Sequence, residues 1–131
     1  MNNKVIAFVL VCLSFLSCKK QPGEGGFASI EGKVYVKNYD ASFTLLTSEY
    51  YLPAETVYII YGDDISYGDR IKTGPDGRFE FKYLREGKYQ IYVLGKDASQ
   101  PYLSIPKQTL VEVNITERKQ KKILNDLVII K

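Results

Sequence analysis

The sequence predicts an all-β protein, a seven-stranded antiparallel β-sandwich behind an N-terminal leader, and three observations point that way. Apolar and polar residues alternate with a period of two along much of the chain. Turn-forming clusters of Gly, Pro and Asp recur between the alternating stretches. No window sustains a helical period, and the aromatic content is 11 tyrosines and 6 phenylalanines with no tryptophan, residues that suit a pleated, half-buried surface.

The elements follow in order. Lys4 precedes an apolar run over residues 5–16, the layout of a secretory signal, and the run is too short to span a bilayer. It ends in Phe15-Leu16-Ser17-Cys18, which resembles a bacterial lipobox, where a small residue before the cysteine marks cleavage and the cysteine sulfur takes a lipid. Residues 1–17 are therefore expected to be a signal peptide and Cys18 the site of lipidation. Cys12 leaves with the signal, so the mature chain has no pair of thiols for a disulfide or a cysteine-based metal site. Lys19-Lys20-Gln21-Pro22-Gly23-Glu24-Gly25-Gly26 has no apolar side chain and several chain breakers, and residues 18–28 are expected to form a flexible tether reaching about 15 to 20 Å. Residues 29–131 are enough for one domain with a core and too few for two.

From Ala28 on, Ile30, Gly32, Val34 and Val36 alternate with Glu31, Lys33, Tyr35 and Lys37 as a first strand. A second covers residues 56–61, with Val57, Ile59 and Tyr61 on one face, and a short third covers 70–73. Gly74-Pro75-Asp76-Gly77 then suits a tight reversal between paired strands. Residues 78–83 alternate again, Leu84-Arg85-Glu86-Gly87 turns the chain, and residues 88–94, 109–116 and 123–130 complete the seven strands.

Several functions are excluded or left without support. With 18 Lys and Arg against 15 Asp and Glu, the charge is too weak and too mixed for the basic stripe that nucleic acid demands. The chain has no histidine, and its one mature cysteine is the expected lipid site, so the common general base and the common thiol nucleophile are both missing. Ser42, Ser48 and Ser66 lack an elbow motif. Asp63, Asp64 and Asp69 read as turn residues rather than as a glycosidase pair or a calcium loop. The chain is accordingly expected to be no enzyme, with no cofactor and no metal.

Gly32-Lys33-Val34, Pro53-Ala54-Glu55-Thr56-Val57, the stretch from Thr73 to Phe81 containing Asp76-Gly77-Arg78-Phe79, and Leu84-Arg85-Glu86-Gly87-Lys88-Tyr89 resemble the carboxypeptidase regulatory-like domains, relatives of the transthyretin-like and Cna B-type sandwiches. The resemblance implies a non-catalytic, prealbumin-like fold in which the turn motif serves folding. Such relatives can carry a lysine-asparagine crosslink; Lys33 or Lys37 with Asn125 are the only loosely placed candidates, and the outward parity of both lysines argues against it. Phe79, Phe81, Leu84, Tyr89, Ile91 and Val93 are expected in the core, at about 1.5 to 3 kcal/mol for each large side chain buried.

The chain departs from that pattern at residues 38–52, an apolar insertion expected either to pack over outward residues such as Tyr58, Ile60, Tyr92 and Leu94 or to serve as a recognition loop. Strand parity sets this insertion, the turn at residues 74–77 and the loop over 95–108 at the end far from the tether. Asp63, Asp64, Asp69, the turn at Glu86 and the basic run Arg118-Lys119-Gln120-Lys121-Lys122 fall near the membrane. The candidate binding residues are Tyr39, Phe43, Tyr50, Tyr51 and Tyr102. The expected function is a non-catalytic, lipid-anchored protein of the outer membrane, at its periplasmic face or the cell surface, whose domain binds a protein or glycan. The alternative is a carbohydrate-binding module using exposed tyrosines.

Overall fold

The computed structural model describes residues 21–131; Cys18 and the signal peptide lie outside the described residues. Within them the chain is all-β, with nine strands in two sheets. In order they are β1 (Glu24–Tyr39), β2 (Leu46–Tyr51), β3 (Thr56–Tyr61), β4 (Asp69–Lys72), β5 (Arg78–Leu84), β6 (Gly87–Lys96), β7 (Pro106–Ile115), β8 (Lys121–Ile123) and β9 (Leu127–Ile130). Sheet I is built on β1, with β5 and β2 end to end along one edge and β8 and β9 along the other. Sheet II has the order β4-β3-β6-β7.

Alternation along β1 puts Ala28, Ile30, Val34 and Val36 inward, where they meet Val57 and Ile59 of β3, Phe79 and Phe81 of β5, and Tyr89, Ile91 and Val93 of β6. These are the residues that the periodicity assigns to the core, and all are buried. The outward parity of Lys33 holds, since its ammonium lies over the exposed ring of Tyr51.

Four expectations need correction. The first concerns the insertion over residues 38–52, which is a hairpin: β2 pairs antiparallel with the end of β1, Val36 opposite Tyr50 and Tyr35 opposite Tyr51. It extends sheet I and leaves Tyr58 and Tyr92 on sheet II uncovered by it, so it is not a cover for those residues.

The second is the last predicted strand, which is two strands that run parallel to β1, so the sandwich is not wholly antiparallel. The turn after β7 crosses from sheet II to sheet I at the end where β1 begins, and a chain starting there must run the same way as β1. Between Glu31 opposite Ile123 and Val34 opposite Leu127 the C-terminal segment has one residue more than β1, which is the mark of a bulge. Leu124 turns there against Gly32, whose missing side chain leaves room for it and for the ring of Phe79.

Third, the tight turn at residues 74–77 forms, with the Gly77 N–H donating to the Gly74 carbonyl at 3.0 Å. It joins β4 of sheet II to β5 of sheet I rather than two paired strands.

The fourth correction is the tether, which ends earlier than residue 28. Gly23 is buried, its N–H donates to the Tyr89 hydroxyl at 2.8 Å, and its carbonyl accepts from Arg85 N–H at 2.9 Å. The glycines that resemble a flexible linker form a bulge at the start of β1. Glu24 and Ala28 both fall opposite Leu84, and Gly26 lies so close to the Leu84 carbonyl that no Cβ fits.

Candidate functional site

The end of the sandwich away from Gly23 is formed by the β1–β2 hairpin tip, the loop over residues 97–105 and the C-terminus. Beyond the bulge, β1 from Ala28 to Tyr39 separates the two ends by about 35 Å. The tip is organised by Asp40. Its Oδ1 accepts from the N–H groups of Thr44 at 2.9 Å and Leu45 at 3.1 Å, and its Oδ2 accepts from the hydroxyls of Ser42 at 2.9 Å and Thr44 at 3.3 Å. The Leu45 N–H and the Ser42 hydroxyl hold this carboxyl below the usual carboxylate range, against a smaller opposing effect of burial. The chain closes with Asp40 N–H on the Leu45 carbonyl at 2.9 Å, and Phe43 takes a left-handed φ of 56° to complete the turn.

That conformation aims Phe43 toward Tyr39, ring centroids 6.2 Å apart. Across from them the 97–105 loop is pinned by Asp97, whose Oδ1 accepts from Ser99 N–H at 3.0 Å and Ser99 hydroxyl at 2.7 Å. Tip and loop enclose a cleft of about 370 Å³ lined by the apolar Tyr39, Phe43, Pro101 and Leu103 together with the polar Lys96, Asp97, Ser104 and Lys131. Lys131 is paired with Glu55 at 2.8 Å. Around the cleft Leu45, Leu46, Tyr102, Leu103 and Ile105 project into solvent, Tyr102 at 90% exposure.

The five sequence-predicted residues therefore divide. Tyr39 and Phe43 line the cleft, and Tyr102 stands beside it on the facing loop. Tyr51 lies on the outer face of sheet I, its ring edge-on to Tyr35 at 5.1 Å and under the Lys33 ammonium at 4.8 Å. The Tyr51 hydroxyl donates to Asp126 at 2.8 Å, and that hydrogen bond is the largest cause raising its pKa. Tyr50 is the neighbouring strand residue and faces the other way, opposite Val36. Leu45 and Leu46 belong to the apolar insertion that the sequence offers as a recognition loop, whereas nothing in the sequence singles out Leu103 and Ile105. All four are apolar residues in segments with no period to bury them.

A second aromatic group lies on the outer face of sheet II. Tyr58 and Tyr92 are stacked with centroids 4.8 Å apart and planes at 10°, and Tyr67 lies 5.0 Å from Tyr58. One ring face of Tyr58 is thus engaged with Tyr92, and Tyr67 tilts against it at 56°. Asp63 is 97% exposed and 3.7 Å from Lys88, and Asp69 accepts from Arg70 N–H at 2.7 Å. Among the described residues no group of three His, Cys, Asp or Glu is placed to hold a metal ion.

No family model matches the chain, and no curated protein matches it. Among solved structures it is similar to a Pseudomonas aeruginosa protein described as a "putative carbohydrate binding protein", at 14% sequence identity and a TM-score of 0.46, over 86% of this chain and 94% of that one.

Proposed function

We propose that the chain is a non-catalytic, lipid-anchored protein of the outer membrane, attached through Cys18, whose sandwich binds a protein partner at the end far from the anchor. The observation that carries this reading is the group of apolar side chains around the distal cleft. Leu45 is 64% exposed, Leu103 56% and Ile105 53%, and side chains of this kind clustered at one end of a small domain mark an interaction surface more often than a solvated one. Their position suits a surface held out from a membrane.

A glycan is the second reading, favoured by the free ring of Tyr102, since a sugar stacks on an unobstructed aromatic face. The polar groups at the cleft are largely engaged with the protein itself. Asp40 spends both oxygens on its own loop, Asp97 spends Oδ1 on Ser99, and Lys131 is paired with Glu55, which leaves Lys96 and Ser104 to meet a ligand. Recognition of sugar hydroxyls needs placed polar groups that are not already engaged.

Leu103→Glu with Ile105→Glu is expected to leave unfolding within about 0.5 kcal/mol of the parent, because both residues are surface positions. The pair should abolish co-purification of the partner from solubilised envelopes. Tyr102→Ala alone should weaken that association less. Loss of retention in a glycan-containing gel by Tyr102→Ala, with the protein association unchanged, would transfer the reading to carbohydrate.

A further inference from the structure

The end of the sandwich nearest Cys18 combines a very short connection with exposed apolar and basic side chains. Gly23 is fixed to the Tyr89 hydroxyl and Arg85 N–H, so five peptide units separate Cys18 from a rigid position. They reach at most about 17 Å fully extended, and a flexible chain of that length averages about 12 Å. A lipid on Cys18 would hold this end of the domain against the headgroup layer.

What that end presents suits the contact. Phe27 is 59% exposed, with the Arg118 guanidinium 4.7 Å from its ring centroid. Tyr83 is 70% exposed and sits at a φ of 59° on β5, in the part of that strand paired with the start of β1. Arg85 lies against Gly25, and Lys119 is exposed in the turn whose Gln120 carbonyl accepts from Ser29 N–H at 2.9 Å. Lys121 is partly offset by Glu31 at 3.3 Å. The acids at the same end are Asp63 and Asp64 after β3 in sheet II, Glu24 at the start of β1, Glu86 in the turn after β5 and Glu117 in the turn before β8. Phe27 and Tyr83 lie on the sheet I side with the cations Arg85, Arg118 and Lys119, interspersed with Glu24, Glu86 and Glu117.

We infer that this corner, formed by Phe27, Tyr83, Arg85, Arg118 and Lys119, docks on a bilayer surface containing anionic phospholipid and fixes the domain's orientation on the membrane. The inference rests on the proposed anchor at Cys18. Aromatic side chains enter the headgroup region while the cations meet the negative surface potential, and the tether supplies the high local concentration that each weak contact lacks. Docking by this corner keeps the distal cleft pointed away from the membrane.

The test uses the intact lipoprotein reconstituted into vesicles of phosphatidylcholine alone, or of phosphatidylcholine with phosphatidylglycerol as a minority lipid, at low salt. Flotation with both vesicles, and none for Cys18→Ser on phosphatidylcholine, reports the anchor. Hydrogen exchange at the amides of residues 116–120 reports docking, and a slowing of roughly threefold or more is expected only with phosphatidylglycerol. Arg118→Glu with Lys119→Glu should erase that slowing without changing the unfolding temperature. Flotation with equal exchange on both vesicles, or slowing that survives the double variant, overturns the docking and leaves the anchor standing. Failure of the parent to float on phosphatidylcholine overturns the anchor and the docking with it.

Discussion

Gly77→Val is expected to destabilise the domain by about 2 to 5 kcal/mol, the sum of a left-handed backbone strain and an overpacked contact. Gly77 has a φ of 75°, where a β-branched residue is disfavoured. It also sits where β5 enters sheet I beside the end of β2. A Cβ there would come 2.9 Å from both the Tyr51 Cβ and the Val34 carbonyl oxygen, and 3.0 Å from Leu52 N. Two of those three neighbours are backbone atoms in the ladder, since Val34 N–H donates to the Gly77 carbonyl and Leu52 N–H to the Val34 carbonyl, each at 2.9 Å. They cannot yield without breaking sheet I. Thermal unfolding should fall by roughly 10 °C or more. Asp76→Asn is the control: Asp76 Oδ1 accepts from Arg78 N–H at 3.1 Å, an amide oxygen accepts the same bond, and the change should stay within about 0.5 kcal/mol. Equal unfolding temperatures for the two variants would refute the strained turn at Gly77.

Tyr89→Phe is the second large effect, at about 2 to 4 kcal/mol, because it deprives two backbone groups of one shared partner. The Tyr89 side chain is fully buried. Its hydroxyl accepts from Gly23 N–H at 2.8 Å and donates to the Arg85 carbonyl at 2.7 Å, four residues upstream. This resembles the tyrosine corner of other sandwiches, extended here to tie down the first residue before β1. The phenylalanine variant keeps the packing against Tyr61, whose ring meets Tyr89 edge-on at 5.9 Å, so the loss isolates the hydroxyl. Denaturant unfolding measures it, and hydrogen exchange should accelerate first at residues 23–28. A variant as stable as the parent would mean that these groups find water instead.

Much of this fold is legible in the sequence because burial on one face imposes a period of two. β1, β3, β5 and β6 carry that signal, and Ile30, Val34, Ile59, Phe79 and Ile91 are where alternation puts them. β2 carries none: all six of its residues are exposed, so nothing forces Leu46, Ser48 and Tyr50 to differ from Thr47, Glu49 and Tyr51. Missing that strand also groups Tyr50 with Tyr51, which strand geometry sends to opposite faces. Gly23 to Gly26 look like a linker because composition cannot distinguish glycines that free a chain from glycines that let it approach the backbone of Leu84. Of the candidate site, Tyr39, Phe43 and Tyr102 are visible as aromatic residues in loops. The cleft depends on the Asp40 and Asp97 turns facing each other, a relation between distant residues that no local pattern encodes.

A photo-crosslinking amino acid placed in turn at Tyr102, on the distal loop, and at Tyr92, on the outer face of sheet II, distinguishes binding at the distal end from binding at the sheet face when irradiated in intact cells. Tyr102 is exposed and Tyr92 half-buried in the outer face of sheet II, and they differ in the surface they sample. The distal binding reading predicts a discrete protein adduct from position 102 and none from position 92. An adduct from position 92 with none from position 102 would contradict it and place the partner on the tyrosine face.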